Sequence, residues 1–502
     1  MVIKKTFLDK IRKSVFFKDS LAYSGTNVIA QLLTVIRSFA VRRILPPEIM
    51  GFWNFMTVVQ GFLGTFDLGV IAGATRELPL IGARGDNTEK KRIYSTTLWF
   101  TVIQNCIVAL FAVWYVRWHH SQYSTTEITV AFAGIAVFLI SSFYTVYSTF
   151  FITSQAFVLL SRILIAFAVI DCIGFVVFAW FWSLPGLIII SIVSVILRGA
   201  VFIFLGRLIN LQTKVKISLR SLKRLLSFGF FLRIVDYPNA LFNMVSILWV
   251  TKFTNVEALA LFSLARGFSM QVNDISTRVG SVYTMRFLEQ VGSGISREVI
   301  GRQMKQYLLF QLMVIIPALC WVAFIGLTFI VNSFIPKYAG ANESFLILII
   351  SSFFYVLNSG LTNPWMAEKK LLNRGMANVF GLLAMVGAIA VTWFIFKGTT
   401  IRDVAYASVA GSYLYFVYMV IAVGKSYWSM KERIGVVFSV TAAALWTFGV
   451  LYAGFIFMDK DAQGFIANFE AMFPTAFLSL IAMFLLVLYG VKKSRIMGGW
   501  LK

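Results

Sequence analysis

Nine ionisable side chains stand inside long apolar stretches of this chain: Arg37, Arg198, Arg233, Arg266, Arg278, Asp67, Asp171, Asp236 and Asp274. A guanidinium stays charged and offers a planar fork that matches phosphate oxygens. A carboxylate held away from bulk water takes a proton or a hard cation. Five arginines against four aspartates leave the interior slightly cationic, which suits an anion such as a phosphate or diphosphate. The sharpest group lies on Val256–Arg286. At about 100° per residue, Arg266, Asn273, Thr277, Ser263, Asp274 and Arg278 share one arc, and Leu264, Phe268, Val272, Ile275 and Val279 fill the other. Arg266 lies roughly 15 Å from the helix start at 1.5 Å per residue, too deep to snorkel easily. Charge at that depth faces a bundle interior or a wet cavity. The alternative is an internal Asp–Arg pair that only fixes helix packing. Arg266 and Arg278 are thus the leading phosphate-binding candidates, followed by Arg198, Arg233 and Arg37. Arg233 and Arg37 stand near span ends, where snorkelling is the competing reading.

The acids give a second chemistry. All eleven glutamates fall in loops or near span ends, so the intramembrane acids are aspartates. Asp236 precedes Pro238 in RIVDYPNA. A proline there breaks the helix and frees carbonyls. Asn373 and Asn378 lie near the same inner half, and Asp, Asn and free carbonyls are hard oxygen ligands. Asp236, Asn378, Asp274, Asp67 and Asp171 are the candidates for coupling to Na⁺ or H⁺. Each has a structural reading as the partner of an arginine, for Asp236 the nearby Arg233. No resident cofactor or metal is expected, because Cys106, Cys172 and Cys320 and the adjacent His119 and His120 have no ligand spacing. There is no GxxxxGK[ST] nucleotide loop. No outer connection, the longest being 118–126 and 458–467, can hold a catalytic domain, so the chain does not read as an enzyme.

These residues need helices through a membrane to position them. The chain has 502 residues, 59% of them hydrophobic and 13% charged, with a mean hydropathy of +0.82. That composition excludes a water-soluble globular protein. Residues 1–18 carry Phe7, Ile11 and Val15 at i, i+4, i+8 among lysines, as a basic amphipathic surface helix does. No cleavage site follows it. Apolar segments at 19–42, 48–76, 93–117, 127–153, 158–182, 184–207, 226–252, 256–286, 303–333, 340–367, 371–396, 402–424, 433–457 and 468–491 make fourteen spans. With the N-terminus in the cytoplasm, 32 of the 45 lysines and arginines fall on inner segments and 8 on outer ones. The positive-inside rule therefore places both termini inside. It also explains the net charge of +24 by orientation and contact with anionic lipids, not nucleic acid.

A weak repeat relates EIMGFWNFMTVVQGF from Glu48 to EALALFSLARGFSMQ from Glu257. The offset is about six spans, an even number, so the repeats run parallel. The expected architecture is all-α and polytopic: an N-lobe at 19–207, a cytoplasmic linker helix at 208–225, a C-lobe at 226–424, an added pair of spans within 433–491 and a basic tail at 492–502.

Gly25, RRILPPEIMGFW at the first outer turn and FDLGVIAGATRELP at the end of the second span resemble the opening of polysaccharide-transporter (Wzx-like) flippases. These belong to the multidrug/oligosaccharidyl-lipid/polysaccharide exporter superfamily. The resemblance implies alternating access in the bacterial inner membrane, carrying an undecaprenyl-diphosphate-linked oligosaccharide, such as an O-antigen unit, to the outer leaflet. It implies membrane lipids as surroundings and polysaccharide polymerase and other assembly proteins as partners. The two added spans are similar to the tail groove of lipid II flippases. The rival readings are such a lipid II-type flippase, an ion-coupled drug or cation antiporter of the same superfamily, and a non-transporting scaffold of a glycan-assembly complex.

Overall fold

A computed structural model of the chain describes residues 15–83, 86–154, 156–208, 217–292, 296–362, 365, 371–396, 399–457 and 468–482 without 471 and 475. The greater part of the expected surface helix at 1–18, the basic tail and the end of the last span lie outside the described residues. Among the described residues the structure is all-helical, with fourteen α-helices. The chain divides into two compact units, Met1–Ile234 and Val235–Lys502. The first holds α1 (Val15–Ile44), α2 (Pro47–Gly64), α3 (Val70–Ala83), α4 (Asn87–Trp118), α5 (Thr125–Thr153) and α6 (Phe157–Leu208). The division falls inside α7 (Leu219–Phe253). The second unit continues with α8 (Val256–Gly292), α9 (Arg297–Phe310), α10 (Ile316–Phe334), α11 (Ala341–Leu361), α12 (Leu371–Phe396), α13 (Ile401–Gly424) and α14 (Met430–Phe457). Residues 219–225, read from sequence as part of a separate linker helix, are continuous with α7.

Short polar words start these helices. Asp86 accepts from the Glu89 amide at 2.9 Å and opens α4. Ser124 with Glu127 and Thr400 with Asp403 form capping boxes before α5 and α13, each satisfying two backbone donors that the first turn leaves free. Among the described residues eight helices are long and apolar enough to cross a membrane. The chain is a multi-pass membrane protein. The eight do not include α7 and α8, which carry Arg233 and Asp236, and Arg266, Asp274 and Arg278.

The expected span at 48–76 is broken in two. The chain leaves α2 at Gly64 and starts α3 only at Val70. Gly69 turns the corner with φ +82°, a conformation L side chains seldom adopt. Its amide donates to Asp67 Oδ1 at 3.0 Å. Gln104 of α4 reaches across the opening: its Nε2 donates to the Phe66 carbonyl at 3.1 Å, and its Oε1 accepts from the Leu68 amide at 3.4 Å. Arg233 donates to the Gly64 and Thr65 carbonyls at 3.2 and 3.3 Å, a cation on the negative end of a helix. α3 then crosses the first half of α7 backbone to backbone. A Cβ on Gly229 would stand 1.9 Å from the Gly69 carbonyl oxygen, and one on Gly73 would stand 2.4 Å from that of Leu225. Gly229→Ala should therefore destabilise the protein by about 2 kcal/mol, the usual scale for overpacking. The measurement is the thermal midpoint of detergent-purified protein, and an unchanged midpoint would show that these backbones do not touch.

In α6 the helix breaks at Ser183, where φ is 52°. Pro185 and Gly186 follow, and a Cβ on Gly186 would lie 2.0 Å from the Phe178 carbonyl oxygen. The two halves match the separate spans expected at 158–182 and 184–207. In the second unit, Ser269 and Ser352 face each other at 2.5 Å where α8 meets α11. A Cβ on Gly411 of α13 would come within 2.9 Å of the Gly381 carbonyl oxygen of α12. Phe469 and Ser479 meet α10: the Phe469 ring lies edge-on to Phe329 at 6.4 Å, and Trp321 Nε1 donates to Ser479 Oγ at 2.9 Å.

Candidate functional site

The break at Ser183 sets the register of the first unit's polar site. Asp171 lies twelve residues before it and Arg198 fifteen after, roughly 18 and 22 Å along the two halves at 1.5 Å per residue. The halves fold back on each other, and the two side chains meet as an ion pair. Ser194 Oγ donates to the other carboxylate oxygen at 2.6 Å. Arg37 of α1 approaches the same carboxylate at 3.7 Å. Apolar rings frame the group. The Arg37 guanidinium lies 4.5 Å from the centre of Phe175, and Arg198 lies 5.4 Å from Phe167, distances at which cation–π attraction counts. Arg37, Asp171 and Arg198 line a cavity of about 300 Å³ with Thr34, Tyr144 and Phe167. The cluster carries one positive charge in excess.

The second unit holds a polar face on α7. Asp236, Asn239, Asn243 and Ser246 fall within about 80° of arc at 100° per residue. The four meet three neighbours, one from each of three helices. Asp236 pairs with Arg374 of α12 at 3.0 Å. Asn239 accepts from the Tyr355 hydroxyl of α11 at 3.1 Å. Arg266 of α8 donates to Ser246 Oγ at 2.7 Å and to the Asn243 carbonyl oxygen. Arg266 is buried, 9% exposed, and among the described residues no carboxylate pairs with it. Asn378 is buried near the start of this face, with Nδ2 3.4 Å from the Val235 carbonyl oxygen.

The structure thus sorts the residues expected from sequence. Arg37, Asp171 and Arg198 come together. Asp67 and Arg233 are occupied at the α2–α3 break, Asp67 as a turn acceptor and Arg233 as a helix cap. The structural partner of Asp236 is Arg374 and not Arg233. Asp274 is exposed on α8, and the Arg278 side chain lies outside the described residues. Sequence reading missed Gln104, Ser194, Asn243, Ser246 and Arg374. Ser194 precedes Arg198 by one helical turn, and Arg374 precedes Asn378 by one, so helical spacing from a recognised residue was the available signal.

An apolar cavity of about 420 Å³ lies between α11, α13 and α14, lined by Ile350, Phe354, Tyr413, Leu445 and Phe448 among others. It is chemically the opposite of the arginine site.

The fold is shared with solved membrane transporters. The chain superposes on the lipid II flippase MurJ, in an inward closed conformation, with a TM-score of 0.68 at 13% identity over 95% of this chain and 99% of that one. An inward-facing multidrug resistance MATE family transporter of the MOP superfamily gives 0.53 at 15% identity over 81% and 95%. A mutant of the Vibrio cholerae MATE transporter VcmN gives 0.52 at 12% identity over 80% and 97%. No family model and no curated protein sequence matches the chain. At these identities the likeness establishes the fold.

Removing Arg198 leaves the buried Asp171 with only the looser Arg37 contact at 3.7 Å. Arg198→Ala should cost about 3 kcal/mol, the lower end for breaking a buried pair. Asp171→Asn in the same background should recover part of that loss. Thermal unfolding of the two single variants and the double variant measures it, and a double-variant loss equal to the sum of the two single losses would place the residues in separate interactions.

Proposed function

We propose that this protein is a flippase for an undecaprenyl-diphosphate-linked oligosaccharide, moving it from the inner to the outer leaflet of a bacterial inner membrane by alternating access. The observation that carries the reading is the arginine pair on Asp171. It offers a cationic, partly open wall to a diphosphate at the edge of an otherwise apolar helix packing. A fixed cation in low dielectric attracts a phosphate strongly, and guanidinium forks fit its oxygens. The fold shared with MurJ over nearly the whole chain supports it. A lipid II-type substrate is the second reading, favoured because the MATE structures match only about four-fifths of the chain. Both readings take a diphosphate in the cationic cluster. On this proposal the apolar cavity beside α14, with the segment at 468–482, holds the polyprenyl tail, and both termini are cytoplasmic.

The decisive assay is reconstitution with fluorescent lipid-linked sugar, following its movement between leaflets. Arg37→Gln should slow flipping at least tenfold with folding intact, since a phosphate contact made through a charged hydrogen bond is worth about 1.5–3 kcal/mol. Full activity in a well-folded Arg37→Gln protein would remove this cluster from the transport path. Arg266→Ala tests the sequence-derived site in the same assay, with Arg266→Lys restoring only part because the fork is lost.

Energy enters, on this reading, as an ion gradient coupled at Asp236. Arg374 is already its cation, so a coupling proton or Na⁺ acts by exchange with that guanidinium. The membrane potential supplies about 2.3 kcal/mol per charge per 100 mV. In vesicles with imposed Na⁺ or H⁺ gradients, wild-type flipping should accelerate and the Asp236→Asn protein should lose the response. A variant keeping its full gradient response would place coupling elsewhere.

A further inference from the structure

Asp171 stands where a bound anion would stand. Both arginines direct their charge at it, and Ser194 fixes its second oxygen. Its side chain is 8% exposed, while those of Arg37 and Arg198 are 27% and 24% exposed and line the same cavity. The guanidinium groups therefore share one buried carboxylate and keep a face toward open space. The two arginines are not equivalent. Arg198 is hydrogen-bonded to the carboxylate, whereas Arg37 at 3.7 Å is beyond hydrogen-bond range. Arg37 is the arm that can let go.

We infer that Asp171 is a tethered counter-anion that decides which anions this cavity accepts, holding the arginine pair against singly charged anions and yielding Arg37 to a diphosphate. The inference rests on the flippase reading above and names a selectivity residue within it. A tethered carboxylate competes at high effective concentration. A monoanion that displaces it exchanges one charge contact for another and gains little. A diphosphate brings two or more charges and several oxygens, so it takes Arg37 and neutralises the excess charge. Arg198 keeps Asp171 meanwhile through its hydrogen bond. With the carboxylate neutralised, the cavity carries both arginine charges openly and any small anion binds more tightly.

The test titrates inorganic phosphate and inorganic pyrophosphate into the purified full chain by calorimetry, for wild type, Asp171→Asn and Ser194→Ala. Wild type should prefer pyrophosphate by about thirtyfold or more. Asp171→Asn should bind phosphate about tenfold more tightly and shrink that preference to a few-fold. Ser194→Ala releases one carboxylate oxygen only. It should shift the preference the same way by about threefold, and it answers the question where Asp171→Asn does not fold. An unchanged preference in the folded variants overturns the inference. So does weaker pyrophosphate binding in Asp171→Asn, the result expected if the carboxylate merely holds the arginines in place. The flipping assay separates the two readings. Wild-type flipping with an unchanged preference defeats only the tethered counter-anion, and absence of wild-type flipping defeats the flippase reading.

Discussion

A charge placed among apolar helices must be answered by another group at hydrogen-bond range, because no water is at hand to do it. Much of what is specific in this protein follows from that constraint. Arg198 answers Asp171, Arg374 answers Asp236, and the α2 carbonyls answer Arg233. Among the described residues Arg266 is answered by neutral oxygens alone, the Ser246 hydroxyl and the Asn243 backbone and side-chain carbonyls. Each answer ties two helices, or the two halves of α6, at one level. The polar contacts thereby fix the register of helices whose apolar surfaces would slide against one another at little cost.

The two units solve the problem differently. In the first, backbone irregularity does the positioning. The positive φ at Ser183 folds α6 into a hairpin that brings residues twenty-seven apart in sequence into contact. The turn at Gly69 opens a helix and exposes carbonyls for Arg233 and Gln104 to cover. In the second, a polar face on α7 supplies the groups, and α8, α11 and α12 each bring one partner. The first arrangement leaves an arginine pair beside open space. The second buries its arginine at 9% exposure.

Residue type was legible in the sequence; partnership was not. Arg37, Asp171 and Arg198 stand out because charge is rare in such stretches, but nothing in the spacing of 37, 171 and 198 says that they meet. That depends on a turn whose geometry is not written in WSLPG. Arg374 reads as one more basic residue near a span end, because a guanidinium at a boundary can snorkel. Its pairing with Asp236 needs the register of α12 against α7. Gln104 was invisible for another reason: a neutral amide in an apolar run raises no electrostatic alarm, and its role exists only because α2 stops at Gly64. The unbroken reading of 48–76 failed at TFDLG, where an Asp two residues before a Gly marks a side-chain-capped turn that hydropathy alone averages away.

A transporter of a charged lipid has to attract its cargo without trapping it. Binding must be favourable enough for entry and weak enough for release, the same requirement that governs ions in pores. Two bare arginines in low dielectric would hold a diphosphate too firmly. The carboxylate between Arg37 and Arg198 changes that balance. On the proposed function it remains on its tether while the cargo is bound, so it is ready to reclaim Arg37 as the cargo leaves. On the proposed function, the tight pairing to Arg198 and the loose one to Arg37 then have a purpose. The first keeps the carboxylate in place through the cycle, and the second is the contact that the cycle makes and breaks.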